Sequence, residues 1–327
     1  MMTKKFIKYA LIFISAFSIS SCGIIFKNKS YGQNNIVMPK ATNNVFAALT
    51  SDGSVYFSAD AESWTKSSVS SKAKWNNLIV VNHKLFLVGM NGAISVSNDG
   101  QDWTKLPIKD YRLWLYDAVH VKGHYVVVGI NGLITVSKNL SDWSINKINT
   151  MSWLTSVVTD GNKIVACGSH GEIIYGYDDK KWFEATSPTN SWLSDIEYYN
   201  NRFYAVGYDG TIISSSDASN WQDDDSNTSN WLYSIRGFES SVIVVGDKAT
   251  VLEKSTNSND NTWKKIATDI PQDLTLRTVV SDDSGNLYVG GQHGYIASSS
   301  DVSHWTYHGI DTNATVLRIV YLNLDKE

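Results

Sequence analysis

The stretch that decides the fold is residues 192–221, WLSDIEYYNNRFYAVGYDGTIISSSDASNW. It contains three strand-sized segments, rich in β-branched or aromatic residues, that begin at Trp192, Arg202 and Thr211. Turn-forming clusters separate them at Asn200-Asn201, at Asp209-Gly210 and from Asp217 onward. A fourth segment follows Trp221. The stretch therefore predicts a unit of four short β-strands joined by tight turns.

The same unit recurs along the chain. Tryptophans mark it at intervals of 39, 40, 39, 39, 42 and 42 residues: Trp64, Trp103, Trp143, Trp182, Trp221, Trp263 and Trp305. A glycine stands 11 residues before six of them, at Gly53, Gly92, Gly132, Gly171, Gly210 and Gly294, while the sixth unit has Ala249 and an insertion. No segment shows sustained helical periodicity. Seven four-stranded units of about 40 residues are typical of a β-propeller, in which each unit is one blade.

The two ends of the repeat predict how the propeller closes. The first unit begins with its second strand, Val45 to Leu49, whereas Thr315 to Tyr321 is a surplus first strand at the other end. Pairing these strands would complete the first blade and remove exposed sheet edges. We therefore expect an all-β, seven-bladed β-propeller over residues 45–321, closed by its C-terminal strand, with residues 322–327 as a tail.

The composition fits one large folded domain that does not bind nucleic acid. The chain has 327 residues, 43% of them hydrophobic and 18% charged. Without residues 1–21, which hold three lysines and no acid, the net charge falls from −4 to −7. Such a chain lacks the basic surface that nucleic-acid binding requires. The two cysteines are too few for a disulfide scaffold, and Cys167 is expected to be a small buried residue.

The amino terminus predicts export and a lipid anchor. Lysines 4, 5 and 8 precede an apolar run, Tyr9 to Ile19, which has the length of a signal-peptide core and is too short to span a bilayer. The run ends in Ile19-Ser20-Ser21-Cys22, which resembles a bacterial lipoprotein box. We expect residues 1–21 to be the signal peptide, Cys22 to carry the lipid, and residues 22–44 to include the tether. An ordinary cleavable signal with a coincidental cysteine is the alternative.

From this amino terminus we expect the protein to lie in the bacterial cell envelope, held on a membrane by its lipid. Gly23 after the cysteine resembles lipoproteins that are sorted to the outer membrane, where the envelope has two membranes.

The turn before each unit's last strand has its own pattern. Serine is followed two residues later by Asp or Asn and then, after four more, by Trp, as in Ser58-Ala-Asp60, Ser97-Asn-Asp99, Ser137-Lys-Asn139, Ser215-Ser-Asp217 and Ser299-Ser-Asp301. The pattern resembles the Asp-box, or bacterial neuraminidase repeat, of sialidase-type propellers. With the preceding Val-Gly-x-x-Gly, the whole domain resembles the photosystem II stability and assembly factor family. The fourth unit departs from the pattern at Gly176 and the sixth at Ser255-Thr-Asn257.

Physical chemistry favours a structural role for these boxes. A short carboxylate or amide accepts backbone hydrogen bonds in the turn, and the tryptophan packs between strands. Seven turns need seven caps, whereas seven copies of a catalytic residue have no chemical use. Substitutions there are expected to destabilise the fold and not to abolish a reaction.

Patterns for catalysis or metal binding are sparse. A sialidase needs several arginines around a substrate carboxylate, and Arg236, Arg277 and Arg318 fall on first strands, where they could reach the central channel. However, Arg277 and Arg318 occupy different positions of their units. The histidines have no cysteine or acidic cluster beside them at metal-ligand spacing. We therefore assign no catalytic residue, no metal and no cofactor.

A second tryptophan series is the most promising surface feature. Its members step by 39 residues, with Thr275 and Thr315 at the corresponding places in the last two units: Trp75, Trp114, Trp153, Trp192 and Trp231. Equivalent positions in five consecutive blades would place the rings in an arc around one mouth of the channel. There they could stack sugars or dock a partner. The alternative is that each ring packs between adjacent blades.

The sequence favours a binding role, because it shows no set of convergent titratable groups. We expect a monomeric, lipid-anchored propeller that acts as a binding or assembly scaffold for another envelope protein. A lectin-like, glycan-binding propeller is the second interpretation, and a sialidase-type glycoside hydrolase is the third. No residue pattern points to a photosynthetic partner.

Overall fold

The computed structural model describes residues 44–69, 73–106, 108, 112–178, 180–257 and 262–325. The predicted signal peptide, Cys22 and the tether up to residue 43 lie outside the described residues, so the lipid anchor stays a prediction. In the part of the chain that is described, no helix has both the length and the apolar character needed to cross a bilayer.

Four-stranded antiparallel sheets, the blades, make up the described domain. Blades 1 and 2 contain β1 (Asn44–Thr50), β2 (Val55–Ser58), β3 (Thr65–Lys66), β4 (Trp75–Val81), β5 (Lys84–Gly89), β6 (Ile94–Ser97) and β7 (Thr104–Lys105). Blades 3 and 4 contain β8 (Leu115–Val121), β9 (His124–Gly129), β10 (Leu133–Ser137), β11 (Ser144–Lys147), β12 (Leu154–Thr159), β13 (Ile164–Gly168), β14 (Ile173–Gly176) and β15 (Trp182–Glu184).

The remaining blades repeat this plan. Blades 5 and 6 contain β16 (Leu193–Tyr199), β17 (Arg202–Gly207), β18 (Ile212–Ser215), β19 (Gln222–Asp224), β20 (Leu232–Phe238), β21 (Ser241–Gly246), β22 (Val251–Ser255) and β23 (Lys264–Lys265). Blade 7 contains β24 (Leu276–Ser281), β25 (Leu287–Gly291), β26 (Ile296–Ser299) and β27 (Thr306–Tyr307), and β28 (Val316–Asn323) follows. Short 3-10 turns join second and third strands at Met90–Gly92, Ser169–Gly171, Tyr208–Gly210 and Gln292–Gly294.

The C-terminal strand closes the ring. β28 pairs with β1, so that blade 1 has the strand order β28-β1-β2-β3. Asn44 lies opposite Asn323, and Thr50 lies opposite Val316. The first strands of successive blades, β28, β4, β8, β12, β16, β20 and β24, contact one another all the way round. The predicted seven-bladed propeller and its closure are therefore confirmed.

The hydrophobic core is divided among the seven interfaces between neighbouring blades. Each buried cluster combines side chains from two adjacent blades. Between blades 4 and 5, for example, Cys167 and Ile173 pack with Leu193 and Phe203. Cys167 is a fully buried free cysteine, as expected, and burial raises the pKa of its thiol. Full burial of a side chain such as Phe203 contributes roughly 1.5–3 kcal/mol, so the blades are held together mainly by these interfaces.

The Asn-Gly and Asp-Gly pairs form the tight turns that the sequence predicts. Asp209 has a φ of 56° and Gly210 a φ of 66°. A Cβ atom on Gly210 would lie 1.8 Å from the carbonyl oxygen of Thr228, so only glycine fits there. His170 and His293 occupy the position of Asp209 in blades 4 and 7, with φ values of 61° and 56°. These two histidines are therefore turn residues.

In five blades, the serine and the acid or amide of the turn before the last strand bind that turn. In blade 5 the Asp217 carboxylate accepts hydrogen bonds of 2.8 Å from the backbone amides of Ser219 and Asn220. The Asn220 side chain and backbone, bonded to this carboxylate, hold the pKa of Asp217 below its ordinary value. Trp221 Nε1 donates to the Ala218 carbonyl at 3.0 Å. The same acid or amide contacts recur at Asp60, Asp99, Asn139 and Asp301.

Blade 6 departs from this turn, and the residue at the serine position is not the one that the sequence indicates. Lys254 pairs with Val242 just as Ser215 pairs with Phe203, so Lys254 and not Ser255 holds the serine position. Its ammonium lies 2.6 Å from the Asp224 carboxylate of blade 5, and both side chains are buried. The Trp263 ring lies 5.5 Å from the same ammonium. A buried ion pair thus joins blades 5 and 6.

Candidate functional site

A β-bulge at the beginning of each first strand shapes one mouth of the channel. In blade 5, for example, the pairing register shifts between Leu193 and Asp195, which leaves Ser194 as the extra residue. A bulge re-aims the side chain of its extra residue. The seven bulged residues all line a cavity of about 340 Å³, the upper cavity, together with Trp192 and Trp231. They are Asn76, Tyr116, Thr155, Ser194, Tyr233, Arg277 and Leu317.

The next residue of each first strand belongs to a hydrogen-bonded ring, which we call the polar belt. Six side chains bond to one another in it, and Thr278 joins through the backbone amide of Ile319; the six are Asn77, Asp117, Ser156, Asp195, Ser234 and Arg318. Ser156 Oγ, for example, lies within hydrogen-bond distance of both carboxylates, 2.8 Å from Asp117 and 3.0 Å from Asp195. Arg318 closes the ring by donating to Asn77 at 3.0 Å. The belt therefore joins the blades by polar contacts at the centre of the propeller.

Charge in the polar belt is balanced mainly within it. Arg318 Nη1 lies 3.2 Å from an oxygen of Asp195, and both side chains are largely buried. Burial raises the pKa of Asp117 to about 6, against the opposing effect of Arg318, and the nearby Asp195 carboxylate raises it further. The Arg318 guanidinium thus partly neutralises two buried carboxylates, those of Asp117 and Asp195. Arg318, predicted as a channel residue, is part of the scaffold.

The structure corrects the register of the second tryptophan series. The backbone carbonyl just before each first strand accepts a hydrogen bond from the turn after the second strand, and the acceptors are Lys74, Trp114, Trp153, Trp192, Trp231, Thr275 and Thr315. Trp75 instead lies opposite Gly89, as Leu115 lies opposite Gly129. Its side chain is buried between blades 1 and 2. The prediction that Trp75 belongs to the arc is therefore wrong by one residue, because blade 2 and blade 3 are 40 residues apart here.

The other four tryptophans, which we call the tryptophan mouth, keep the equivalent position in blades 3 to 6: Trp114, Trp153, Trp192 and Trp231. Two of them, Trp192 and Trp231, line the upper cavity. Trp153 meets Trp114 edge-to-face with ring centroids 6.2 Å apart, and it meets Trp192 in the same way at 5.6 Å. Trp153 nevertheless remains 37% exposed. These rings pack against one another across the blades and still present apolar surface to solvent.

Other exposed side chains extend the surface of the tryptophan mouth. Tyr208 is 54% exposed and contacts Trp231 edge-to-face at 5.4 Å. Met151, two residues before Trp153, is 77% exposed. Trp231 itself donates from Nε1 to Ser194 Oγ at 2.8 Å, which fixes its ring. An apolar surface with fixed aromatic rings is suited to binding another molecule.

The three channel arginines lie at different depths and have different partners. Arg277 lines the upper cavity with its guanidinium 3.8 Å from the Tyr233 ring centroid. Arg318 lies one residue deeper, in the polar belt. Arg236 lies three residues deeper than Arg277, about 10 Å along the strand, and pairs with Glu197 at 3.6 Å. A sialidase-type carboxylate site requires arginines gathered around one point, and these three arginines are not gathered in this way.

The structure is similar to YCF48. The superposition on YCF48 bound to D1 peptide has a TM-score of 0.60 and 14% identity, and it covers 72% of this chain and 81% of that chain. The superposition on YCF48 from Cyanidioschyzon merolae has a TM-score of 0.61 and 13% identity, and it covers 74% of this chain and 87% of that chain. This likeness supports the resemblance to the photosystem II assembly factor type of propeller at the level of the fold. No protein-family model and no curated protein sequence matches the chain.

Beyond the polar belt, the channel opens into a second space, the lower cavity, of about 300 Å³. Aliphatic side chains form most of its wall, the polar belt residues Asp117, Asp195 and Arg318 line it on one side, and Glu197 and Arg236 are the charged pair away from the belt. Within the described ranges, no group of three or more His, Cys, Asp or Glu is placed to hold a metal ion.

Sequence reasoning identified the arginines and missed the residues around them. Asp117, Asp195 and Glu197 all carry charge inside the channel, yet none was singled out. One signal was present: Asn77, Asp117 and Asp195 each lie in the middle of a first strand, 39 or 40 residues from a polar residue of the next unit. A repeated polar residue in an otherwise apolar strand predicts an inward-facing polar ring.

Proposed function

We propose that the protein is a lipid-anchored envelope propeller, without catalytic activity, that binds a polypeptide segment of another envelope protein at its tryptophan mouth. The observation that carries this proposal is the edge-to-face chain of Trp114, Trp153 and Trp192, which stays partly exposed beside an open cavity. Tryptophan and tyrosine are the residues that most often dominate binding energy at protein interfaces.

Several features favour a peptide as the ligand. The edge-to-face chain of Trp114, Trp153 and Trp192 runs over three consecutive blades, so its rings present a row of apolar contacts instead of a single pocket. Tyr208, which contacts Trp231, continues that surface. YCF48, which shares the fold at low identity, has been captured bound to a D1 peptide. A rigid ring with exposed aromatic anchors loses little conformational entropy when it binds an extended segment.

A glycan is the second candidate ligand. The upper cavity places Asn76, Thr155 and Ser194 beside the Trp192 and Trp231 rings, and sugars are bound by such combinations of polar groups and aromatic faces. Screening the wild-type protein on a glycan array separates the two ligands, because a peptide-binding mouth gives no glycan signal.

The central experiment is a pull-down from detergent-solubilised membranes of the source cells. Trp153→Ala should lose the captured partner with little change in melting temperature, since the ring is already 37% exposed. Tyr307→Ala is the matched control, because Tyr307 is 62% exposed on an outer strand and contacts Tyr295 of its own blade. The proposal fails if Trp153→Ala retains the partner, or if the control loses it equally.

A further inference from the structure

The lower cavity has an unusual combination of walls. Seven residues occupy the same position of the seven first strands, and all of them line this cavity: Ile79, Val119, Val158, Glu197, Arg236, Val280 and Val320. Five are aliphatic. The two charged ones lie side by side, on blades 5 and 6. The polar belt residues Asp117, Asp195 and Arg318 also line the cavity, where Arg318 and Asp195 pair with each other. Away from the belt, the wall is therefore charged at one place only, where both signs of charge occur together.

The ion pair at that place is loosely made. Arg236 Nη1 lies 3.6 Å from Glu197 Oε1, which is too far for a hydrogen bond. Arg236 Nε donates to Ser281 at 3.3 Å, and Glu197 Oε1 accepts from the Gly237 amide at 3.4 Å. Among the described residues no hydrogen bond reaches Glu197 Oε2 or either Nη atom of Arg236. Burial raises the pKa of Glu197, and Arg236 opposes that rise.

A loose pair in a sheltered position retains unused hydrogen-bonding capacity. The Glu197 side chain is only 18% exposed, so its second oxygen has little water to replace a protein donor. Leaving a sheltered charged group without hydrogen bonds is unfavourable. A ligand that supplies both a donor cation and an acceptor anion would satisfy both side chains at once.

We propose that the lower cavity binds a small zwitterion with an apolar side chain, of the chemical class of the free α-amino acids. Its carboxylate accepts two hydrogen bonds from the Arg236 guanidinium, in the fork geometry that this group favours. Its ammonium donates to Glu197. Its side chain packs on the aliphatic wall formed by residues such as Ile79, Val119 and Val158. A volume of about 300 Å³ is at the small end of the range for ligand cavities, which suits a single amino acid.

The charge balance selects against ligands with a single charge. An aliphatic carboxylate would leave its negative charge beside Glu197, and an aliphatic amine would leave its positive charge beside Arg236. A neutral apolar molecule would bury both charged side chains without compensating them. Of these ligand classes, a ligand that carries both charges close together is the one that compensates both Glu197 and Arg236.

The proposal is independent of the tryptophan mouth, from which the polar belt separates the lower cavity. Isothermal titration calorimetry on the full-length protein uses L-leucine, L-valine and L-phenylalanine, with two analogues of leucine. Leucinamide lacks the carboxylate, and 4-methylpentanoate lacks the ammonium. At least one of the three amino acids should bind, and removing either charge from leucine should weaken binding at least tenfold. Absence of binding by all three at millimolar concentration, or equal binding of the analogues, overturns the proposal.

Variants locate the ligand. Arg236→Gln should weaken amino-acid binding at least tenfold and leave the melting temperature nearly unchanged, because the Arg236 side chain is 41% exposed. Trp153→Ala should bind the amino acid as the wild type does, even if it loses its protein partner. Unchanged binding by Arg236→Gln would place the amino acid elsewhere and refute the assignment. A failed pull-down with intact amino-acid binding would refute only the proposed function of the tryptophan mouth.

Discussion

Replacing Arg318 with methionine tests whether the polar belt stabilises the propeller. The guanidinium donates to Asn77 at 3.0 Å, to Asp195 at 3.2 Å and to Ser234 at 3.3 Å. Methionine keeps most of the apolar stem, so the change removes charge and hydrogen bonds more than volume. Asp117 and Asp195 then remain buried without a cation. Removing one partner of a buried ion pair costs about 3–5 kcal/mol, which is the expected loss in unfolding free energy at pH 7.5.

The control is Arg236→Met, which removes the same charge from another first strand, β20 of blade 6. Its side chain is 41% exposed and its carboxylate partner is 3.6 Å away. Partly exposed pairs of this kind contribute about 0–1 kcal/mol. Urea unfolding, monitored by tryptophan fluorescence, measures the loss in unfolding free energy for both variants. A loss for Arg318→Met that is no greater than the loss for Arg236→Met would refute the structural role of the belt.

The pH dependence of the unfolding free energy gives a second test of the charge balance in the polar belt. Burial raises the pKa of Asp117 to about 6 in the folded protein, above its value near 4 in the unfolded chain. The folded state therefore binds a proton that the unfolded state has already released. This stabilising contribution is fully present below about pH 4, declines as the pH rises and is gone above about pH 6.

Removing Arg318 raises the pKa of Asp117 further, because the guanidinium opposes the effect of burial. The loss caused by Arg318→Met should therefore be smaller at pH 5, where the carboxyl is protonated, than at pH 7.5. A loss that is larger at pH 5 would show that the carboxylates do not carry the effect.

Three further predictions concern closure, turns and anchoring. Ending the chain after Thr315 removes β28 and should abolish the cooperative thermal transition, whereas ending it after Asn323 should not; equal melting temperatures would contradict stabilisation by closure. Asp217→Ala should lower the unfolding free energy by about 2 kcal/mol, because two backbone amides lose their acceptor, and it should leave partner capture unchanged. Mass spectrometry of the mature amino terminus should find acyl chains on Cys22, and an unmodified Cys22 would rule out the anchor.

The architecture was predictable because the pattern of strands and turns occurs in seven units of the sequence. Most blades repeat the same turn residues at nearly the same spacing, and the departures in the fourth and sixth units do not hide that pattern. The surplus strand at Thr315 to Tyr321 also predicted closure, since an unpaired strand and an incomplete blade complement each other. Both inferences depend only on turn residues close together in the sequence and on the number of strands in each unit.

The channel was less predictable because its contacts join residues that are distant in sequence. Arg318 bonds to Asp195, 123 residues away, and to Asn77, 241 residues away. The inward positions also depend on a bulge, and no residue type marks that bulge: Asn76, Thr155 and Arg277 all occupy it. A shift of one residue decides whether a side chain is buried or faces the cavity. Trp75 was misplaced for that reason.

The pairing of Asn44 with Asn323 has a practical consequence for measurement. The described chain starts and finishes at the same end of the channel, beside the lower cavity, while the tryptophan mouth is at the opposite end. A tag at the C-terminus, coupled to a sensor chip, would present the tryptophan mouth to a flowing partner. The same coupling would crowd the lower cavity, so amino-acid binding is better measured with the protein free in solution.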